Sequence, residues 1–437
     1  MLKKLFKIII LALLVIGIVL GISITIKKRV PHNEKKEAES KIFNMIQTQT
    51  AEIDKFYTYG RAFNLSGKIS NIKKDNFESA KLVVTDGKDD EVEYILDYEF
   101  DENNLLFSTK EINSEIVVDE LENKEYYILL RLKLNNSIDP RYYSLVNVSE
   151  YPDIEYYTIS KDGKNRKASI AFNKKNYKNK EYNFLTINLE DSILPENVYD
   201  IIIDAGHGGK DLGENVGTVY EADITLDYAK ELKKSLEEKG YKVKLTRDDD
   251  NNDDYTYTNM YDEDGRISIA CASKAKLMIS LHVNNGASTL SGFEIYSPCK
   301  SNLNFANNMA NKIKEYSSIN YSNNSAFKES EGVYVKNYNN KMIKDAEDTA
   351  NRKEYEPYPI TTDTPYLYTI REVGGIGTNA YVDGRNTEYS KNNYYNSNQG
   401  IECYQIELGY IKNDLEIIQN EEEALVRAIS ETINENY

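Results

Sequence analysis

Ile201-Ile202-Ile203-Asp204-Ala205-Gly206-His207-Gly208-Gly209 joins a β-branched apolar run to a histidine set among glycines. The apolar run predicts a buried strand, and the glycines mark its end. Outward from it the chain alternates strand and helix. Val198 to Asp204 is the first strand, and Glu221 to Lys239 reads as a helix with Leu226, Ala229, Leu232 and Leu236 on one face and Gly240 as its stop. Tyr241 to Arg247 is a second strand, Asp264 to Ser273 a helix, Leu277 to Val283 a third strand and Gly292 to Tyr296 a fourth. Asn302 to Tyr316 is helical, Tyr404 to Tyr410 a further strand, and Glu421 to Asn434 the closing helix. This alternation predicts an α/β unit with a mostly parallel sheet flanked by helices.

Functional groups in open α/β sheets gather beyond the carboxyl ends of strands. The chain has three histidines, and two of them stand there: His207 after the first strand, and His282 in Ser280-Leu281-His282-Val283-Asn284 at the end of the third. Glu221 opens the following helix and can point back to the same edge. Glu407, in Gln405-Ile406-Glu407-Leu408-Gly409, is a carboxylate inside an apolar strand; buried alone it would be costly, so it needs a partner or a task. Two imidazoles and a carboxylate with an open fourth position form a common catalytic zinc site. His207, Glu221 and His282 supply those ligands, and Glu407 is left to move the proton. Individually each has a structural alternative; together they predict a metal site.

These runs, with Thr246-Arg247-Asp248, Arg266, Gly292-Phe293-Glu294-Ile295-Tyr296 and Glu407-Leu408-Gly409-Tyr410-Ile411-Lys412-Asn413, resemble the zinc-dependent N-acetylmuramoyl-L-alanine amidases of the Amidase_3 type. The resemblance implies that His207, Glu221 and His282 bind zinc and that Glu407 is catalytic. It also implies hydrolysis of the amide between N-acetylmuramic acid and the L-alanine of the peptidoglycan stem. Cys271 stands where that family often has Asn, and reads as a small buried residue. A polar insertion from about 337 to 399 exceeds the usual connection of the family. Within it Arg371 and Gly374-Gly375-Ile376-Gly377 are candidates for a lid or substrate clamp, as is Asn284 for substrate contact. The acidic run Asp248 to Asp254 lacks the spacing of a calcium loop and reads as solvated.

Upstream, residues 56–195 show period-2 runs separated by turn signals such as Asp86-Gly87 and Lys161-Asp162-Gly163, which predicts an all-β sandwich of immunoglobulin-like type. Leu121 to Tyr126 reads as a corner in which a Tyr hydroxyl bonds back to the main chain. Residues 29–55 read as a short helical stalk. From Ile8 to Ile26 no residue is charged, and basic residues flank both ends. At about 28 Å as a helix that stretch matches a bilayer, so residues 1–28 are expected to be an uncleaved membrane anchor with residues 196–437 outside the cytoplasm. A net charge of −17 argues against nucleic acid as partner, and three distant cysteines against a disulfide framework. The expectation is a membrane-tethered peptidoglycan amidase. Another zinc peptidase, or a wall-binding protein without activity, are the alternatives.

Overall fold

The computed structural model describes residues 44–87, 91–109, 116–147, 153–159, 164–177, 180–249, 264–299, 301–352, 360–374 and 399–437. The predicted anchor, Ile8 to Ile26, lies outside them. No helix among the described residues is long and apolar enough to cross a membrane.

Eleven strands make the first unit: β1 (Ala51–Tyr59), β2 (Ala62–Ile69), β3 (Phe77–Thr85), β4 (Glu91–Asp101), β5 (Asn104–Thr109), β6 (Ile116–Val117), β7 (Glu125–Leu134), β8 (Arg141–Asn147), β9 (Ile154–Ile159), β10 (Asn165–Tyr177) and β11 (Lys180–Asp191). The expected two-sheet sandwich is corrected here. Pairing runs β1-β2-β5-β4-β3-β7-β8 and returns to β1, so seven strands close a barrel. Two strands turn the corners. The first half of β4 pairs β3 and its second half β5. Along one edge of β7, Tyr126 and Ile128 face β11, whereas Leu129 to Leu132 face β8. Alternation along β7 sends Tyr126, Ile128, Leu130 and Leu132 into the barrel core beside Phe56, Phe63, Leu82 and Phe107. The predicted corner forms: the Glu122 N–H donates to the Tyr126 hydroxyl at 3.0 Å. The barrel also begins before residue 56, because Ala51 and Ile53 are strand residues in its core rather than part of a helical stalk.

The second unit carries β12 (Ile201–Ala205), the small pair β13 (Asn215–Val216) and β14 (Val219–Tyr220), α1 (Glu221–Glu237), β15 (Val243–Leu245), α2 (Arg266–Ala272), β16 (Leu277–Asn284), β17 (Glu294–Tyr296), α3 (Asn304–Tyr316), β18 (Lys328–Ser330), β19 (Val333–Tyr334), α4 (Asn340–Arg352), α5 (Tyr368–Gly374), β20 (Gln399–Gly400), β21 (Glu402–Tyr410), α6 (Leu415–Asn420) and α7 (Glu422–Asn436). Its sheet has the order β15-β12-β16-β21-β17-β19-β18, with β21 antiparallel to β17 and β18 to β19, and the other pairs parallel. Alternate residues settle the two faces. Ile203, Ile279, Leu281, Tyr404, Ile406 and Leu408 pack with α1, α3 and α7 through Leu232, Met309 and Ile429. Ile202, Met278 and Cys403 pack with α2 and α5 through Ile267, Cys271, Ile370 and Val373. The insertion therefore contributes α4 and α5 to the fold; its glycines 375 and 377 lie outside the described residues.

The two units are joined through the main chain. Thr58 and Tyr59 of β1 pair in parallel with Gln399 and Gly400 of β20, and the Gly60 N–H donates to the Gly400 carbonyl at 3.0 Å. Arg61 sits over the Tyr437 ring at 4.6 Å, and Lys276 over the Tyr156 ring at 4.7 Å.

Candidate metal centre

By the same alternation, Asp204, Ser280, His282, Gln405 and Glu407 lean to the α2–α5 face, opposite to their apolar neighbours in sequence. Register completes the convergence: His282 of β16 stands beside Glu407 of β21, which stands beside Glu294 of β17.

Glu221, at the first turn of α1, is buried and reaches both imidazoles. Its carboxylate lies 3.1 Å from His207 Nε2 and 3.1 Å from His282 Nδ1, and it accepts main-chain N–H groups from Val283 at 2.8 Å and Glu214 at 3.0 Å. The helix N-terminus adds a favourable field for that anion. Burial alone would raise the Glu221 pKa, but the hydrogen bonds and charges of the two histidines hold it well below the usual carboxylate range. His207 responds in kind. Burial opposes its imidazolium, yet Glu221 and Asp211 outweigh it and raise the pKa to about 9. Asp211 holds His207 Nδ1 at 3.0 Å, the kind of outer partner that orients a ligating imidazole.

His207 adopts φ +60°, so the loop is held in a conformation most residues avoid. Two buried arginines fix it. Arg266 donates to Asp204 Oδ1 at 2.7 Å and to the His207 carbonyl at 2.8 Å. Arg247 donates to the carbonyls of Ala205, Gly206 and Ala222. Close approach explains two glycines. A Cβ on Gly206 would meet His282 Cε1 at 2.6 Å, and one on Gly213, at φ +66°, would meet Glu221 Oε2 at 2.7 Å.

The donor set fits a metal. One ligand-type atom from each of His207, Glu221 and His282 lies within 4.8 Å of the others. His207 Nε2 lies 3.1 Å from Glu221 Oε2 and His282 Nδ1 lies 3.1 Å from Glu221 Oε1, each close to the separation of about 3.3 Å expected between two ligands of a tetrahedral zinc. The other ring nitrogen of His282, Nε2, is buried with no hydrogen-bond partner among the described residues, so Nδ1 is the nitrogen turned to Glu221.

Glu407 is 8 % exposed and accepts a hydrogen bond from Gln405 Nε2 at 2.9 Å. Burial, reinforced by the charges of Glu221 and Glu294, raises its pKa to about 7 despite the opposing influence of His282 and Gln405. Glu294 stands in the sequence only within the motif Gly292 to Tyr296, which assigns it no role of its own; a carboxylate inside that apolar run was the available signal. It is fully buried and accepts from the hydroxyls of Tyr296 at 2.7 Å, Tyr410 at 2.6 Å and Ser322 at 2.7 Å. Asn284 follows His282 on β16, and its amide donates to Glu294 at 3.1 Å. Arg371 corrects the clamp expectation. It is buried, pairs with Glu372 at 2.8 Å and donates to the carbonyls of Pro365 and Tyr366. Its helix nonetheless reaches the site, because Thr369 donates to Gln405 at 3.2 Å.

Residues 201–357 match the family Amidase_3, N-acetylmuramoyl-L-alanine amidase. The amidase match includes both histidines and Glu221 and ends before Glu407. A Bacillus subtilis (strain 168) protein, the uncharacterized YqiI, is 34% identical over 96 residues, 22% of this chain and 43% of that one. The probable cell wall amidase LytH of Staphylococcus aureus is 45% identical over 67 residues, 15% of this chain and 21% of its own. The chain thus spans less than half the length of either relative. Among solved structures, the N-acetylmuramoyl-L-alanine amidase AmiC2 of Nostoc punctiforme aligns at 19% identity over 55% of this chain and 96% of that one, with a TM-score of 0.35. The family match marks residues 201–357 as similar to N-acetylmuramoyl-L-alanine amidases.

Proposed function

We propose that this protein is a zinc-dependent N-acetylmuramoyl-L-alanine amidase acting on peptidoglycan outside the cytoplasm, tethered by its apolar segment from Ile8 to Ile26. The observation that carries the reading is the meeting of His207, Glu221 and His282 beside a buried Glu407 whose pKa lies near 7.

A zinc ion bound there would supply Lewis acidity, polarising the amide carbonyl and making water a stronger acid. His207, Glu221 and His282 are the residues that would hold it. Asp211 and the two main-chain donors on Glu221 fix the orientation of those side chains. Glu407 Oε takes the proton of the attacking water and returns it to the amine of the leaving L-alanine. A pKa of about 7 suits both halves of that task near neutrality. Gln405 keeps the carboxylate aimed, and Glu294, locked by its three hydroxyl donors, keeps a second negative charge close enough to hold that pKa up.

Digestion of purified peptidoglycan with the zinc-loaded chain, read by mass spectrometry, tests the proposal. Intact stem peptides with L-alanine at the amino end are expected. Cleavage within the stem would assign a peptidase instead.

A further inference from the structure

Residues 211–214 run from the outer partner of His207 to the outer partner of Glu221, and they have little apolar packing of their own. Asp211 Oδ2 lies 3.0 Å from His207 Nδ1, and Asp211 Oδ1 accepts the Gly213 N–H at 3.1 Å. Glu214 is bonded to Glu221 through the main chain in both directions. Its N–H donates to Glu221 Oε2 at 3.0 Å, and its carbonyl accepts the Glu221 N–H at 2.8 Å. None of these residues is buried: Leu212 is 44% exposed, Glu214 is exposed, and Gly213 has no side chain to pack. Hydrogen bonds, rather than a buried anchor, hold this brace in place.

The far side of the site supplies a further tie. Asn285 comes directly after β16, the strand of His282. Its Nδ2 donates to Glu214 Oε2 at 2.6 Å. The orientation of that amide is set, because Asn285 Oδ1 accepts the Gly286 N–H at 2.9 Å and leaves Nδ2 for the carboxylate. The backbone at its base is fixed as well, since the Asn284 carbonyl accepts the Ile411 N–H at 2.9 Å. An amide on a carboxylate binds more strongly than a neutral pair. The contact closes a ring. It runs from His207 through Asp211 and Glu214 to Asn285, back along β16 to His282, and through Glu221 to His207.

We propose that Glu214 and Asn285 form a clasp that positions the three ligand side chains before the metal arrives, and so sets the affinity of the site for zinc. This rests on the metal-site part of the amidase reading and not on the identity of the substrate. A brace already in place spares the ordering cost that the ion would otherwise meet on binding. Glu214 and Asn285 act through Glu221, His207 and His282, so they are positioning residues. The Glu214 carboxylate also brings a negative charge near the ion, and charge and geometry make opposite predictions for one variant.

The full chain, stripped with EDTA, is titrated with zinc alone against a competing chelator. Asn285→Ala and Glu214→Ala should each weaken zinc roughly three- to tenfold, and the double variant should be little weaker than Glu214→Ala. Glu214→Gln keeps an acceptor for Asn285 and should retain most of the affinity. Asn285→Asp sets a carboxylate against Glu214, which breaks the clasp but adds a charge attractive to zinc. The clasp predicts weaker binding, and charge alone predicts tighter. Both positions are exposed, so the urea midpoint of the metal-free variants should match that of the parent. Amide exchange at Glu214 in the metal-free chain should quicken in Asn285→Ala. Tighter zinc in Asn285→Asp, a Glu214→Gln as weak as Glu214→Ala, or affinity that falls only in step with the urea midpoint overturns the proposal. So does a parent that binds no zinc, which removes the metal site as well. The expected zinc pattern, in a parent that releases no stem peptides from peptidoglycan, would refute the amidase reading while upholding the clasp.

Discussion

Replacing Glu407 by Gln should stabilise the metal-free protein while removing most of its activity. In the fold its pKa is raised from 4.5 to about 7, with burial as the leading cause. The folded state therefore holds this proton more tightly than the unfolded chain does. Stability lent by the neutral acid is complete below pH 4.5 and declines as pH rises to about 7, beyond which the full penalty of the buried anion is present. At 1.36 kcal/mol per unit, that penalty is roughly 3 kcal/mol. Gln fills the same space, and its carbonyl can still accept from Gln405 Nε2. Glu407→Gln should thus gain roughly 3 kcal/mol at pH 8, or a rise in Tm of about 6–12 °C, and almost nothing at pH 4. Urea titrations of the EDTA-treated parent and variant at both pH values measure the difference. With zinc restored, activity should fall by roughly 10²–10⁴. A variant no more stable than the parent at pH 8, or one whose gain does not depend on pH, would refute the assignment of Glu407 as a desolvated base.

His207→Ala and His282→Ala should each abolish stoichiometric zinc, and Glu221→Gln should weaken it before it alters the fold, as read by elemental analysis and chelator competition. In metal-free protein the raised pKa of His207 contributes stability that is complete below pH 6.5 and lost as pH climbs through about 9. Zinc affinity should move the opposite way over that window, because the ligand is neutral imidazole; parallel trends would count against a metal on His207. Gly213→Ala places a methyl 2.7 Å from Glu221 Oε2 at a φ of +66°, so it should cost about 1–2 kcal/mol and loosen the metal, whereas Gly217→Ala, which meets nothing within 4 Å, should cost only the backbone strain of its own φ. Denaturation and zinc titration of the pair separate the two effects.

The α/β unit was legible because its strands and helices differ in period and because the site residues sit in the strands themselves. Strand alternation, set by Ile203, Leu281 and Ile406 on one face, carries His282 and Glu407 to the other without help from loops. The barrel was less legible. Period 2 gives the strands but not their partners, and closure depends on β8 meeting β1 in parallel through Ala51 and Leu145, far apart in sequence. Arg371 misled for a related reason. An arginine close in sequence to the Glu407 strand reads as a substrate group until the carbonyls of Pro365 and Tyr366 are found waiting for it. Glu294 went unnoticed because its partners Ser322 and Tyr410 come from distant segments.

The pairing of Thr58 and Tyr59 with Gln399 and Gly400 has a mechanical consequence. One residue separates that pairing from the strand that holds Glu407, so the barrel grips the root of that strand as a vice grips a blade. A pull on the barrel, or a ligand that distorts β1, is transmitted along an extended segment to Glu407 some seven residues on. Excising the barrel would expose the unpaired edge at Gln399 and Gly400 and release the strand whose position sets the aim of Glu407.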